Sequence, residues 1–68
     1  MEILVNGKAQ TLPGAMTLRQ FLETLRIPTL ERGVAVCLNG EVVRRPDWER
    51  TALHARDELE IVQATQGG

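Results

Sequence analysis

Histidine, cysteine and aromatic residues are nearly absent from this chain: His54 and Cys37 stand alone in their types, and Phe21 and Trp48 are the only rings. One thiol cannot form an internal disulfide, and one Cys with one His cannot supply the ligand set of a zinc site. Two rings are too few for a base-stacking platform, and eight Lys/Arg against nine Asp/Glu give a net charge of -1, without the basic excess of a nucleic-acid binder. No apolar run approaches the ~20 residues that cross a bilayer. The opening Met1-Glu2-Ile3-Leu4-Val5-Asn6-Gly7 has neither the basic segment nor the long apolar core of a secretory signal. The expectation is a cytoplasmic, soluble protein with no metal, no nucleic-acid partner and no membrane contact. Sixty-eight residues hold one small domain and leave no room for a deep catalytic cleft. His54 has no candidate nucleophile near it in sequence, so the chain does not read as an enzyme.

What is present is strongly patterned. Ile3-Leu4-Val5, then Asn6-Gly7, then Lys8-Ala9-Gln10-Thr11-Leu12 is a hairpin signal, because Asn-Gly accepts the positive φ angles of a type I′ turn. Pro13-Gly14 breaks the second strand. Thr17 with Gln20 three residues on forms a capping-box pattern, Met16 and Phe21 match a hydrophobic staple, and Leu18, Phe21, Leu22 and Leu25 make one apolar stripe. These features predict a short helix from Thr17 to about Leu25, with Pro28 disfavouring helical backbone at Ile27 and marking the exit. Val34-Ala35-Val36-Cys37-Leu38 reads as an interior strand returning through Asn39-Gly40 into Glu41-Val42-Val43. Arg44 to Arg50 reads as irregular or a brief helical turn that Pro46 suits at its start, and Leu59 to Ala64 as the last strand.

One helix covers one face of a sheet. The economical architecture is therefore α+β, a mixed sheet wrapped around the helix, with the first and last strands adjacent and parallel across a long crossover. That is the β-grasp arrangement. It assigns residues 1–64 to the folded domain and 65–68 to a flexible C-terminal tail. Alternation turns Ile3, Val5, Val34, Val36, Leu38, Leu59 and Ile61 toward the helix, and Leu4, Ala35, Cys37, Val62 and Ala64 away from it. Nothing in the chain is left to cover that second face, which makes it a candidate partner-docking patch near the tail. Cys37 reads as a packing or surface-patch residue and Trp48 as a plug over one end of the core. Asn6 and Asn39 read as turn formers, and Arg44, Arg45 and Arg50 as a solvated edge.

The chain ends Gln66-Gly67-Gly68, a free carboxylate on an arm without bulk. Extended, Ala64 to Gly68 reach about 17 Å, enough for the body to stay outside a narrow channel while the end reacts within it. A carboxylate is ionised at neutral pH and is a poor electrophile, so any chemistry there starts with activation, most simply as an acyl-adenylate made from ATP.

A β-grasp order ending in Gly-Gly resembles the ubiquitin-like superfamily. The Val34–Val43 run with its Asn39-Gly40-Glu41 turn, Trp48 in a short linker, Asp57 and the closing Glu60-Ile61-Val62 strand resemble the ThiS family of sulfur carriers in thiamine biosynthesis, over nearly the whole chain. The resemblance implies that Gly68 is adenylated and then converted to a thiocarboxylate, and that Thr65, Gln66 and Gly67 enter a partner's active site. It implies no permanently bound cofactor, ATP being used by the activating partner. The implied partners are an E1-like adenylyltransferase of the ThiF type, a thiazole synthase of the ThiG type, and a cysteine-derived sulfur donor such as a cysteine desulfurase. Other acceptors (molybdopterin or tRNA thiolation), a ubiquitin-like protein modifier, and an inert interaction module are the alternatives.

Overall fold

The structure, a computed structural model, describes residues 1–27 and 33–63. Its elements are β1 (Glu2–Val5), β2 (Lys8–Thr11), α1 (Leu18–Thr24), β3 (Val34–Leu38), β4 (Glu41–Val42), a 3-10 helix (Arg45–Arg50) and β5 (Glu58–Gln63). Pro28 and Ala64, placed by the sequence at the helix exit and in the last strand, lie outside the described residues.

The first hairpin forms as its turn residues dictate. Val5 pairs with Lys8 across a two-residue loop in which Asn6 and Gly7 have φ of 51° and 84°, the backbone of a type I′ turn. The second Asn-Gly pair behaves alike, with φ of 51° at Asn39 and 87° at Gly40, and returns the chain into β4. Val43 follows β4 with its N–H donated to the Val36 carbonyl at 2.9 Å.

Seven residues make a helix too short to persist alone, so its ends and its buried face must hold it. Thr17 Oγ1 accepts from the Gln20 N–H at 3.1 Å, and Gln20 Oε1 accepts from the Thr17 N–H at 2.9 Å, the reciprocal cap expected from their spacing. Leu18, Phe21 and Leu22 are buried, and each contributes about 1.5–3 kcal/mol by leaving water.

The sheet order is β2-β1-β5-β3-β4. β1 and β5 are the central parallel pair, with Leu4 opposite Glu58 and Val5 opposite Leu59, and β5 is antiparallel to β3 from Val34–Gln63 to Leu38–Leu59. The helix lies on one face over Ile3, Val5, Val36 and Leu59, which are buried, while Val34, Leu38 and Ile61 pack partly buried against them. This is the β-grasp architecture and the facing assignment that alternation predicts. Trp48 closes the core as the sequence suggested: it is 1% exposed, and its indole N–H donates to the Val43 carbonyl at 2.9 Å.

The crossover from the 3-10 helix to β5 carries more than a linker would. Leu53 is buried, its N–H donates to the Met16 carbonyl at 3.0 Å, and the Leu18 N–H donates to Thr51 at 2.7 Å. This strap ties the helix start to the rest of the fold. Asp57 is the buried acidic residue among those described, accepting from the His54 N–H at 2.7 Å and from Asn39 Nδ2 at 3.1 Å.

Candidate functional site: an open sheet face beside the last strand

The face of the sheet turned away from the helix carries no covering element among the described residues. Strand register puts Leu4 beside Glu58, Cys37 beside Glu60 and Val42, and Ala35 beside Val62 on that face. Leu4 is 38% exposed, Val62 62% and Val42 72%, so three large apolar side chains stand open to solvent on this face. Four of the five residues assigned to a docking patch from sequence, Leu4, Ala35, Cys37 and Val62, therefore share one surface. Ala64 and the tail residues Thr65, Gln66, Gly67 and Gly68 lie outside the described residues.

The face is not uniformly apolar. Its end near the exit of β5 is a shallow depression lined by Gly33, Val34, Ala35 and Val62. Its opposite end has two grooves that share Leu4 and Glu58: Gly7, Gly40, Leu59 and Glu60 complete one, and Glu2, Ala55 and Arg56 complete the other. The surface thus grades from apolar beside the end of β5 to charged at the far end. A list of apolar positions leaves out this charged half, although the alternation that buries Leu59 and Ile61 also turns Glu58 and Glu60 outward.

Cys37 is half-buried, and its cross-strand neighbours are Glu60 and Val42 rather than a cationic group. That setting fits a packing residue of the sheet. His54 Nδ1 lies 4.0 Å from Asp57, but Asp57 is occupied with backbone and amide donors, and among the described residues no nucleophile joins the pair. Among the described residues, no group of three or more His, Cys, Asp and Glu side chains converges as a metal site. No helix among them is long and apolar enough to cross a membrane.

β5, the strand that runs toward the tail, is gripped from both sides by asparagine side chains. Asn6 Nδ2 donates to the Ile61 carbonyl at 3.2 Å and its Oδ1 accepts from the Ile61 N–H at 2.8 Å. The amide thereby substitutes for one further residue of β1 after the main chain has turned away. On the other side Asn39 Oδ1 accepts from the Glu58 N–H at 2.9 Å, and its Nδ2 reaches Asp57. Sequence reasoning took both residues as turn formers. They are, and the same positive φ that makes the turn aims each side chain at β5.

The model of the ThiS family matches residues 3–68. A crystal structure of the thiamine biosynthesis protein ThiS from Geobacter metallireducens is 33% identical and superposes with a TM-score of 0.85, covering all of both chains. A solution NMR structure of a thiamine biosynthesis protein from the same organism gives 33% identity and a TM-score of 0.82, covering all of this chain and 88% of the other. No match is found among curated proteins.

Proposed function

Because this chain belongs to the ThiS family of sulfur carriers, which are not themselves catalysts, we propose that Gly68 is its working residue, carrying sulfur as a terminal thiocarboxylate for thiazole formation in thiamine biosynthesis. An E1-like adenylyltransferase of the ThiF type uses ATP to convert the Gly68 carboxylate to an acyl-adenylate, with pyrophosphate leaving. A persulfide formed from cysteine by a donor such as a cysteine desulfurase then displaces AMP to give an acyl disulfide. A second thiol attacks the donor's sulfur, releasing the Gly68 thiocarboxylate and leaving a disulfide on the donor. The resulting thiocarboxylate sulfur is a softer nucleophile than a carboxylate oxygen, and it serves a thiazole synthase of the ThiG type. Thr65, Gln66 and Gly67 thread the partner's channel, where absent or small side chains and permissive backbone matter most.

The observation that supports this reading best is the continuity of the bare sheet face with the end of β5. Val62 and Ala35 are exposed at the edge of the described strand, and Gln63 precedes Gly68 by five residues. A partner seated on Leu4, Ala35, Cys37, Val62 and Ala64 would hold the body while the tail, about 17 Å long when extended, reaches a nucleotide. No larger movement of the fold is required.

The test is intact and C-terminal-fragment mass spectrometry after incubation with ATP, the adenylyltransferase and a sulfur donor. Fragment localisation is needed, because oxidation of Met1 or Met16 gives nearly the same nominal mass change as exchange of oxygen for sulfur. Sulfur on Gly68, lost when Gly68 is deleted, is the expected result. An unmodified terminus beside an active partner set refutes it, and adducts on lysine would instead identify a protein modifier.

A further inference from the structure

Among the described residues, four that are not glycine have φ in the left-handed region, where a side chain is strained: Asn6, Asn39, Arg26 and Arg56. The asparagines sit in hairpin turns, a residue type that tolerates this backbone. Arg26, at φ 55°, follows the helix cap Leu25 on the helix side of the sheet, where a left-handed residue ends the helix. Arg56 is different in both place and consequence.

Arg56 has φ of 72° at the third position of the turn from His54 to Asp57, which the Asp57 N–H closes onto the His54 carbonyl at 3.1 Å. Ala55 before it is not left-handed, so the turn follows the type II pattern, whose third position favours glycine. Hydrogen bonds to β1 hold the turn on both sides of Arg56. The Arg56 N–H donates to the Glu2 carbonyl at 2.7 Å, and the Leu4 N–H donates to the Asp57 carbonyl at 2.9 Å. Glycine would make the same bonds without the strain. Arginine stands there instead, exposed, lining the groove with Glu2, Leu4, Ala55 and Glu58, and its guanidinium makes no ion pair with any described residue.

Strained backbone of this kind clusters at functional positions, and here it carries a charge with no ion pair among the described residues onto the uncovered face. We propose that Arg56 is a specificity contact, its guanidinium pairing with an acidic side chain of the adenylating partner docked on the open sheet face. The inference rests on the carrier reading above. The partner's own protein surface, and not its nucleotide, supplies the anion: Arg56 precedes β5, whose six residues carry the chain about 20 Å toward the tail, away from this groove. A carboxylate is the planar acceptor that a guanidinium fork holds with two bonds.

The proposal sets stability against recognition, which a merely structural residue does not do. Arg56→Gly should raise Tm by about 4 °C through relief of the turn. It should also raise the KM for the carrier about tenfold in ATP-dependent pyrophosphate release by the adenylyltransferase, with kcat unchanged. Arg56→Lys, which keeps the charge, should stay within about threefold of the wild-type KM. Arg26→Gly, which relieves the same strain away from the open face, should raise Tm and leave KM alone. High salt should bring the wild-type KM up toward that of Arg56→Gly. An Arg56→Gly carrier with wild-type KM overturns the assignment, as does one whose Tm falls, or an equal rise in KM for Arg26→Gly. The wild-type chain in the same assay separates the two ideas: its failure to be adenylated refutes the carrier reading, whereas its adenylation with an unaffected Arg56→Gly refutes only the role of Arg56.

Discussion

Replacing Asn6 by glycine tests whether that side chain holds the last strand or merely shapes a turn. Glycine accepts the φ of 51° more readily than any other residue, so a residue whose only task is the type I′ turn loses nothing by the change. The structure adds a second task. Asn6 makes two hydrogen bonds to the Ile61 backbone, at 3.2 and 2.8 Å, across 55 residues of sequence. Both bonds are solvent-exposed, so the freed Ile61 groups turn to water and only the net value of each bond is lost, about 0.5–1 kcal/mol. Asn6→Gly should therefore destabilise by about 1–2 kcal/mol, from a total on the order of 3–10 kcal/mol for a chain of this size. Asn6→Ala should cost about 1 kcal/mol more, because it also places a side chain without hydrogen-bonding ability in left-handed backbone. Urea denaturation should show a lower midpoint at unchanged slope in both variants. Native-state hydrogen exchange should show protection falling first at the Ile61 amide, while Glu60 and Val62, paired with β3, keep theirs. A glycine variant as stable as wild type, with Ile61 still protected, would refute the clamp.

The remaining expectations concern the core and the open face. Trp48→Phe removes the indole donor to Val43 and leaves space in a site 1% exposed, for a loss of about 2–3 kcal/mol by urea titration, with Trp48→Ala costing about 3–5. Asp57→Ala strands the His54 N–H and the Asn39 amide beside β5, and should cost about 2–4 kcal/mol, whereas Asp57→Asn keeps an acceptor for His54 and should lose about half of that. Val62→Asp, at a side chain 62% exposed, should shift stability by no more than about 0.5 kcal/mol while lowering kcat/KM for adenylation more than tenfold. Wild-type adenylation of that variant, with its circular dichroism unchanged, removes Val62 from the docking surface.

Much of the architecture was legible because its signals are local. The two Asn-Gly turns, the Thr17–Gln20 cap and the stripe of Leu18, Phe21 and Leu22 each depend on residues within a few positions of one another. Alternation in β1, β3 and β5 then divided the apolar residues between two faces, and one helix suffices for one face only. The crossover was harder. Leu53 is a single apolar residue in a segment without period, and its burial follows from where the strap crosses the helix start, which no local pattern encodes. The left-handed turn at Arg56 was hidden for a related reason: Ala55-Arg56-Asp57 contains no glycine, and the conformation is imposed by bonds to β1 from the far end of the chain.

By itself, then, the sequence determined the order of elements and the side each strand buries, and it carries the glycine pair on which the proposed chemistry at Gly68 rests, since turn chemistry, capping and alternation act over short spans of chain. Tertiary structure alone decided what the asparagine amides hold, how Asp57 is satisfied, and which charges share the open face with Leu4 and Val62. Those outcomes depend on β5 lying between β1 and β3. Hydrogen bonds across 55 positions, such as that from Asn6 to Ile61, exist only once the hydrophobic core has brought the two ends of the chain together.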